Sequence, residues 1–226
     1  MLELQDCLGR IFTKEQLPPE LPKKAKRLSS IFEKKGELFC SRCYSQIDKE
    51  RYLLPIGAYY CRECILLGRV RSDEDLYFFP QESFTFISSL KWLGQLTEYQ
   101  ERVSKGLLEG VQNKQDTLVH AVTGAGKTEM IYQVVAQVLD QGGAVCIASP
   151  RIDVCLELYR RLKEDFSCDI SLLHGESDPY SRSPLVIATT HQLLKFYHSF
   201  DLIIVDEVDA FPFVGNVMCC RASSKK

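Results

Sequence analysis

The sequence predicts an α/β protein: a parallel sheet covered by helices on both faces, with a small cysteine-bearing module ahead of it. Three observations carry that prediction. Five short apolar runs alternate with helix-patterned segments after residue 97. A glycine-rich turn stands between the first run and the first helix. Two C-x-x-C pairs lie upstream, separated by seventeen residues.

The runs are "TLVHAV", "AVCIASP", "ISLLHG", "PLVIATT" and "DLIIVDE". They are near-continuously apolar and rich in Val, Ile and Leu, which suits strands buried on both faces. Between them, "TEMIYQVVAQVLDQGG" places Ile131, Val134, Val135 and Val138 on one helical face, with Gly142 or Gly143 to end it. "DVCLELYRRLKEDF" repeats the pattern with Val154, Leu158 and Leu162, and "HQLLKFYH" is a shorter third helix. Strand–helix alternation of this kind argues for a parallel sheet. The resulting division is a basic N-terminal extension (1–36), a four-cysteine module (37–71), an acidic and aromatic connector (72–96), an α/β lobe (97–216) and an atypical tail (217–226). Within the extension, "LPPELPKKAKR" is the segment least expected to pack.

The content is 45% hydrophobic and 26% charged, as in a soluble globular chain. The formal charge of -2 does not announce a nucleic-acid binder, but its distribution is uneven. Leu21 to Arg71 holds twelve Lys/Arg against five Asp/Glu, a basic module joined to an acidic remainder. No apolar stretch is long enough to span a bilayer, and "MLELQDCLGRIF" lacks a signal-peptide core. A cytosolic, reducing location is therefore expected. There, ten cysteines read as thiols or metal ligands rather than disulfides.

"AVTGAGKTEM" fits most of the pattern G-x-x-x-x-G-K-[ST], with Ala121 in place of the first glycine. Thr123, Gly124, Ala125 and Gly126 form a turn whose amides can face phosphate oxygens without a Cβ in the way. The following helix start adds partial positive charge. Lys127 is expected to reach the β and γ phosphates of ATP, and the Thr128 hydroxyl to ligate Mg²⁺. "DLIIVDEVD" sets Asp206 and Glu207 at the carboxyl end of an apolar strand, where open parallel sheets bind ligands. Asp206 is the second Mg²⁺ ligand, and Glu207 the group to orient or deprotonate a water. The bland alternatives are a chance glycine turn and an acidic helix cap.

Cys40, Cys43, Cys61 and Cys64 have the spacing of a tetrahedral zinc site. A redox dithiol pair is the competing reading, and it lacks a thioredoxin-like context. "YLLPIGAYY" supplies a hairpin between the pairs. Arg42, Lys49, Arg51, Arg62, Arg69 and Arg71, with Tyr44, Tyr59 and Tyr60, suit single-stranded nucleic acid; a solvated basic surface is the alternative. Cys146, Cys155 and Cys168 read as small buried hydrophobes. Cys219 and Cys220 have no assigned role.

The loop's A-x-T-G-x-G-K-T form resembles that of superfamily-2 helicases and translocases, which implies a RecA-like lobe. "LTEYQ" resembles their upstream glutamine element, so the resemblance implies that Gln100 contacts adenine. "SPR" (Ser149, Pro150, Arg151) and "TTHQL" (with Thr189 and Thr190) resemble the motifs that line the nucleic-acid track. The four-cysteine module directly ahead of the lobe, "PRIDVCLELYRRL" and "DEVDAFPF" together resemble the ComFA family of bacterial competence ATPases, over about Cys40 to Asn216. The PriA helicases are more distant, with zinc cysteines elsewhere. Membership implies uptake of single-stranded transforming DNA, other competence proteins as partners and work at the inner face of the membrane. Oligomeric state stays open. The family carries a second RecA-like lobe, whereas this chain ends in "VMCCRASSKK", so a truncated or frame-shifted product with slow ATP hydrolysis is expected. A zinc-dependent DNA-binding adaptor without catalysis, or a non-functional fragment, are the alternatives.

Overall fold

The computed structural model describes residues 2–85, 88–122 and 124–207. Thr123, residues 208–213 of "DEVDAFPF", Asn216 and the tail with Cys219 and Cys220 lie outside the described residues. In chain order the elements are α1 (Leu4–Cys7), β1 (Ile11–Thr13), β2 (Lys26–Ser29), β3 (Ile31–Lys34), β4 (Glu37–Cys40), β5 (Gln46–Ile47) and β6 (Asp75–Phe78). Then come α2 (Glu98–Gln112), α3 (Lys127–Asp140), β7 (Val145–Ser149), α4 (Ile152–Asp165), β8 (Ile170–Leu173), β9 (Leu185–Thr189) and β10 (Leu202–Val205).

Four of the five apolar runs form one parallel sheet in the order β10-β7-β9-β8. The central strands β7 and β9 are buried throughout, as their unbroken apolar runs require, while edge strand β10 is half-buried. With α3 and α4, this is the parallel sheet and helices of a RecA-like lobe. Helices α3 and α4, however, pack on the same face. Tyr132, Val135 and Leu139 of α3 and Cys155, Leu158 and Leu162 of α4 meet Val145, Ile147, Leu185 and Ile187 there. Burying each such aliphatic side chain contributes about 1.5–3 kcal/mol. Among the described residues, then, long helices cover one face of the sheet rather than both. The other face, with Ala144, Cys146, Ala148, Val186 and Ala188, is covered by Tyr180, Phe200 and the 3-10 turn Thr190–Lys195. "HQLLKFYH" is too short to hold a full helix and tightens into that turn. Cys146 and Cys155 are buried as expected, burial pushing the Cys155 thiol up to about 11; Cys168 is half-buried.

"TLVHAV" does not join the sheet. Residues 117–122 carry no strand, and Leu118 and Val122 are 78% and 73% exposed. A strand is held by its ladder, and no described strand pairs with this one. The N-terminal third departs further from expectation. β1 and β2 both pair antiparallel with β6, bringing residues 11–13 and 26–29 onto the supposed connector. Leu17 and Leu21, both within "LPPELPKKAKR", are buried with Phe12, Tyr77 and Phe79. The partner strand lies 63–67 residues downstream of β1 and 46–52 downstream of β2, a non-local pairing that local composition does not announce. This sheet docks on the covered face of the lobe, where Tyr197 N–H donates to the Gly9 carbonyl at 3.0 Å. The connector's second half is pinned to the helices. Lys91 N–H donates to the Asp165 carbonyl at 2.8 Å, and the Trp92 ring meets Tyr132 edge-on at 5.4 Å.

Candidate nucleotide site and four-cysteine centre

Helix α3 returns antiparallel to β7, so its first turn lies at the carboxyl edge of the sheet. Its N-cap is Gly126 at φ 72°, a left-handed conformation that favours glycine, and no side chain caps the helix. The first-turn amides are therefore left for an outside acceptor. A Cβ on Gly126 would strike the Gln100 amide and come within 2.9 Å of Glu129 Oε2. Gly124, at φ 81°, has open space around it. Such a cradle fits a phosphate, with Lys127 and Thr128 opening the helix. ATP and Mg²⁺ are the groups the donor set suits.

Gln100 closes the site from α2. Its Oε1 accepts from Thr97 N–H at 2.9 Å, completing a capping box, while its Nε2 donates to the Ala125 carbonyl at 3.0 Å. Gln100 thus grips the loop backbone as well as its own helix. From α4, Arg161 pairs with Glu129, and its Nη1 approaches Thr128 Oγ1 at 3.4 Å. Sequence reasoning missed Arg161 and Glu129. Their contact spans thirty-two residues, and nothing in "YRRL" separates Arg161 from a solvated helix charge.

Asp206 directly follows β10, and its N–H donates to the Ala148 carbonyl at 2.9 Å, which holds it at the sheet edge. Glu207 adopts φ 54°, and its N–H bonds the Asp206 carboxylate at 3.0 Å. Its Oε1 lies 3.7 Å from Arg151 Nη1. Arg151 also holds Asp153 at 2.5 Å, and that carboxylate keeps the guanidinium firmly charged. Of the residues expected along a nucleic-acid track, Ser149, Thr189 and Thr190 are buried and Pro150 is half-buried. Arg151 is 57% exposed in its side chain. Ser149 Oγ is turned inward to accept from Arg151 N–H at 3.3 Å. Any side-chain contact to phosphate from this group falls to Arg151.

The four cysteines converge. Cys40, Cys43, Cys61 and Cys64 are buried, with all four sulfurs within 4.8 Å of one another. Cys43 and Cys61 stand 3.5 Å apart, Cys40 and Cys64 3.8 Å. Tetrahedral zinc with Zn–S bonds of about 2.3 Å sets its sulfurs about 3.8 Å apart, so the cage fits that ion. Hydrogen bonding from Cys40 first, then Cys61 and Cys64, holds the Cys43 thiol down as a thiolate, while the Cys40 contact pushes Cys64 up. The hairpin between the pairs is held by the Leu53–Tyr59 bridge, with Leu54 N–H donating to the Ala58 carbonyl at 2.8 Å and Tyr60 N–H to the Tyr52 carbonyl at 3.0 Å. Arg42 is not a surface cation as expected. It is buried, donates to the Leu67 and Gly68 carbonyls at 2.9 and 3.0 Å, and sits within the field of the cysteines. Tyr59 packs into the cysteine core.

With sheet, loop and acidic strand end in place, the class is defined: the chain belongs to the DEAD/DEAH box helicase family, whose domain matches residues 97–216. Its particular likeness is to the competence protein ComFA. It is 66% identical to ComFA of Streptococcus pneumoniae over 217 residues, covering 96% of this chain and 50% of the relative. ComFA of Bacillus subtilis is 42% identical over 193 residues, 82% of this chain and 42% of that protein. The replication restart protein PriA of Haemophilus influenzae is 30% identical over 101 residues, 40% of this chain and 14% of PriA. The chain thus spans about half the length of the ComFA relatives it matches. Among the described residues, no helix is long and apolar enough to cross a membrane.

Proposed function

We propose that this chain forms the nucleotide-binding lobe and zinc module of an ATP-dependent DNA translocase serving the uptake of single-stranded DNA. The observation that carries the reading is the uncapped start of α3 behind the left-handed Gly126, on the sheet edge where Asp206 and Glu207 follow β10. The first-turn amides and Lys127 bind the phosphates. Thr128 and Asp206 hold Mg²⁺, and Glu207 positions a water. Gln100 sets the loop and lies at the adenine side; Thr123, outside the described residues, is kept as a nucleotide contact of this reading. When bound, Mg²⁺ supplies charge neutralisation across the β and γ phosphates.

Arg151, with the backbone around Ser149, Pro150, Thr189 and Thr190, holds phosphodiesters of the strand. Cys40, Cys43, Cys61 and Cys64 hold a structural zinc. The domain division of the sequence, with its lobe over 97–216, is kept as part of this reading, except that the first strands belong with β6. The competence proteins named among the relatives support other competence components as partners; work at the cytoplasmic face of the membrane is a further part of this proposal. Slow hydrolysis by this lobe by itself is part of the reading, since a transition-state arginine of the kind worth about 10³–10⁵ in rate in GTPases comes from outside such a lobe.

ATP hydrolysis by the purified chain, with and without single-stranded DNA, tests this. Slow turnover that requires Lys127 is expected. Fast, DNA-stimulated turnover unaffected by Lys127→Ala would refute the assignment of the loop.

A further inference from the structure

Arg42 lies between Cys40 and Cys43 in the first knuckle, and its side chain turns inward, leaving the residue only 5% exposed. Its Nη1 donates to the Leu67 and Gly68 carbonyls, just past Cys64 in the second knuckle. Its Nη2 reaches Gln16 Oε1 at 3.5 Å, and Gln16 Nε2 donates to the same Leu67 carbonyl at 3.0 Å. Gln16 Oε1 also accepts from Thr13 N–H at 2.9 Å, at the end of β1. One guanidinium therefore joins the two knuckles to each other and to the N-terminal sheet.

What it does not meet is a carboxylate. Among the described residues Arg42 forms no ion pair, and its Nε is buried without a hydrogen-bond partner. The charged groups whose fields reach it are Cys64, Cys40, Cys43 and Cys61. A guanidinium does not give up its proton inside a protein, so a buried one needs a counter-charge nearby. Carbonyls replace its water but cancel none of its charge. Four thiolates around one Zn²⁺ leave two negative charges in excess, and the sulfurs here are buried too. Neighbouring Arg51, Arg62 and Arg69 are exposed, where solvent screens them.

We propose that Arg42 is the counter-charge of the zinc–thiolate cage. It is a positioning residue that retains the metal through the charge of the sulfurs rather than by ligation, and it ties the filled cage to Gln16 and the N-terminal sheet. This rests on the zinc reading of the four cysteines and adds to it a residue outside the ligand set. Offsetting one of the two excess charges lowers the cost of burying the filled cage, so zinc is held more tightly with Arg42 than without it.

The full chain, loaded with zinc and titrated with a chromophoric chelator of known affinity, yields the dissociation constant of the metal. Arg42→Gln keeps a donor for the carbonyls and removes the charge. Arg42→Lys keeps the charge and gives up the planar fork. Arg42→Gln is expected to weaken zinc about 10–100-fold, and Arg42→Lys to stay within about threefold of the wild type. If Arg42→Gln does not fold even in excess zinc, Arg42→Lys decides: zinc held near the wild-type affinity supports the charge, and failure alike overturns it.

Equal losses in the two variants would leave Arg42 a carbonyl clamp and overturn its role as counter-charge. An unchanged affinity in Arg42→Gln would do the same. Both results leave the zinc cage intact. A wild-type chain that takes up no zinc would overturn the zinc reading and this inference together.

Discussion

Removing the metal that the cysteine cage fits should unfold one half of the molecule and spare the other. The perturbation is Cys61→Ser, or a strong chelator on the wild type. The magnitude follows from the cage. Its sulfur separations of 3.5 and 3.8 Å lie just below and at the value for a closed tetrahedral site, so the cage fits the ion. Structural zinc sites contribute roughly 10–16 kcal/mol at neutral pH, which matches or exceeds a whole domain's stability of about 5–15 kcal/mol. The cage shares one apolar cluster with Ile11, Val70 and Leu76, so the loss should spread through β3, β4 and β5 into β1 and β6. The parallel sheet has its own core around Val145, Ile147, Leu185 and Ile187 and should persist. Hydrogen exchange read by mass spectrometry, with elemental analysis for zinc, is the assay. Protection should vanish over residues 31–71 and weaken over 11–13 and 75–78, with 145–149 and 185–189 unchanged. A purified chain without zinc, whose exchange over 31–71 is slow and indifferent to chelator, would refute the reasoning.

Two further predictions concern the sheet edge. Gly126→Ala forces a Cβ into the Gln100 amide at a positive φ, so the variant should lose about 1–3 kcal/mol of stability and its nucleotide response, read from thermal melts with and without nucleotide. A variant as stable and as responsive as the wild type would show that Gln100 does not need its present position. Arg151→Ala should weaken single-stranded DNA binding uniformly across sequences and reduce the salt slope of log affinity by about 0.7, as expected for one lost phosphate contact; an unchanged slope would remove Arg151 from the interface.

Much of the lobe was legible because its signals are local. An unbroken run such as "AVCIASP" has to be buried on both sides, and β7 and β9 are. The helix after "GAGKT" begins at Lys127, where the glycine pattern places it. The cysteine spacing was legible for the same reason, since each C-x-x-C is a self-contained turn. What failed was non-local. "TLVHAV" has strand composition, but composition does not supply a neighbour, and residues 117–122 stay outside the ladder. The proline-punctuated N-terminus looked loose because its partner, β6, lies far along the chain. Arg42 looked like surface charge because burial of a guanidinium depends on carbonyls at 67 and 68 that only the folded knuckle brings near. The pairing of Arg151 with Glu207 joins two motifs recognisable separately, and only the fold shows that they touch.

The account depends most on phosphate binding at the start of α3. Isothermal titration of the chain with a non-hydrolysable ATP analogue, in Mg²⁺ and in chelator, measures it directly. Saturable binding that needs Mg²⁺, weakens strongly in Asp206→Asn and disappears in Lys127→Ala is the predicted result. Equal heats from the wild type and Lys127→Ala would contradict it.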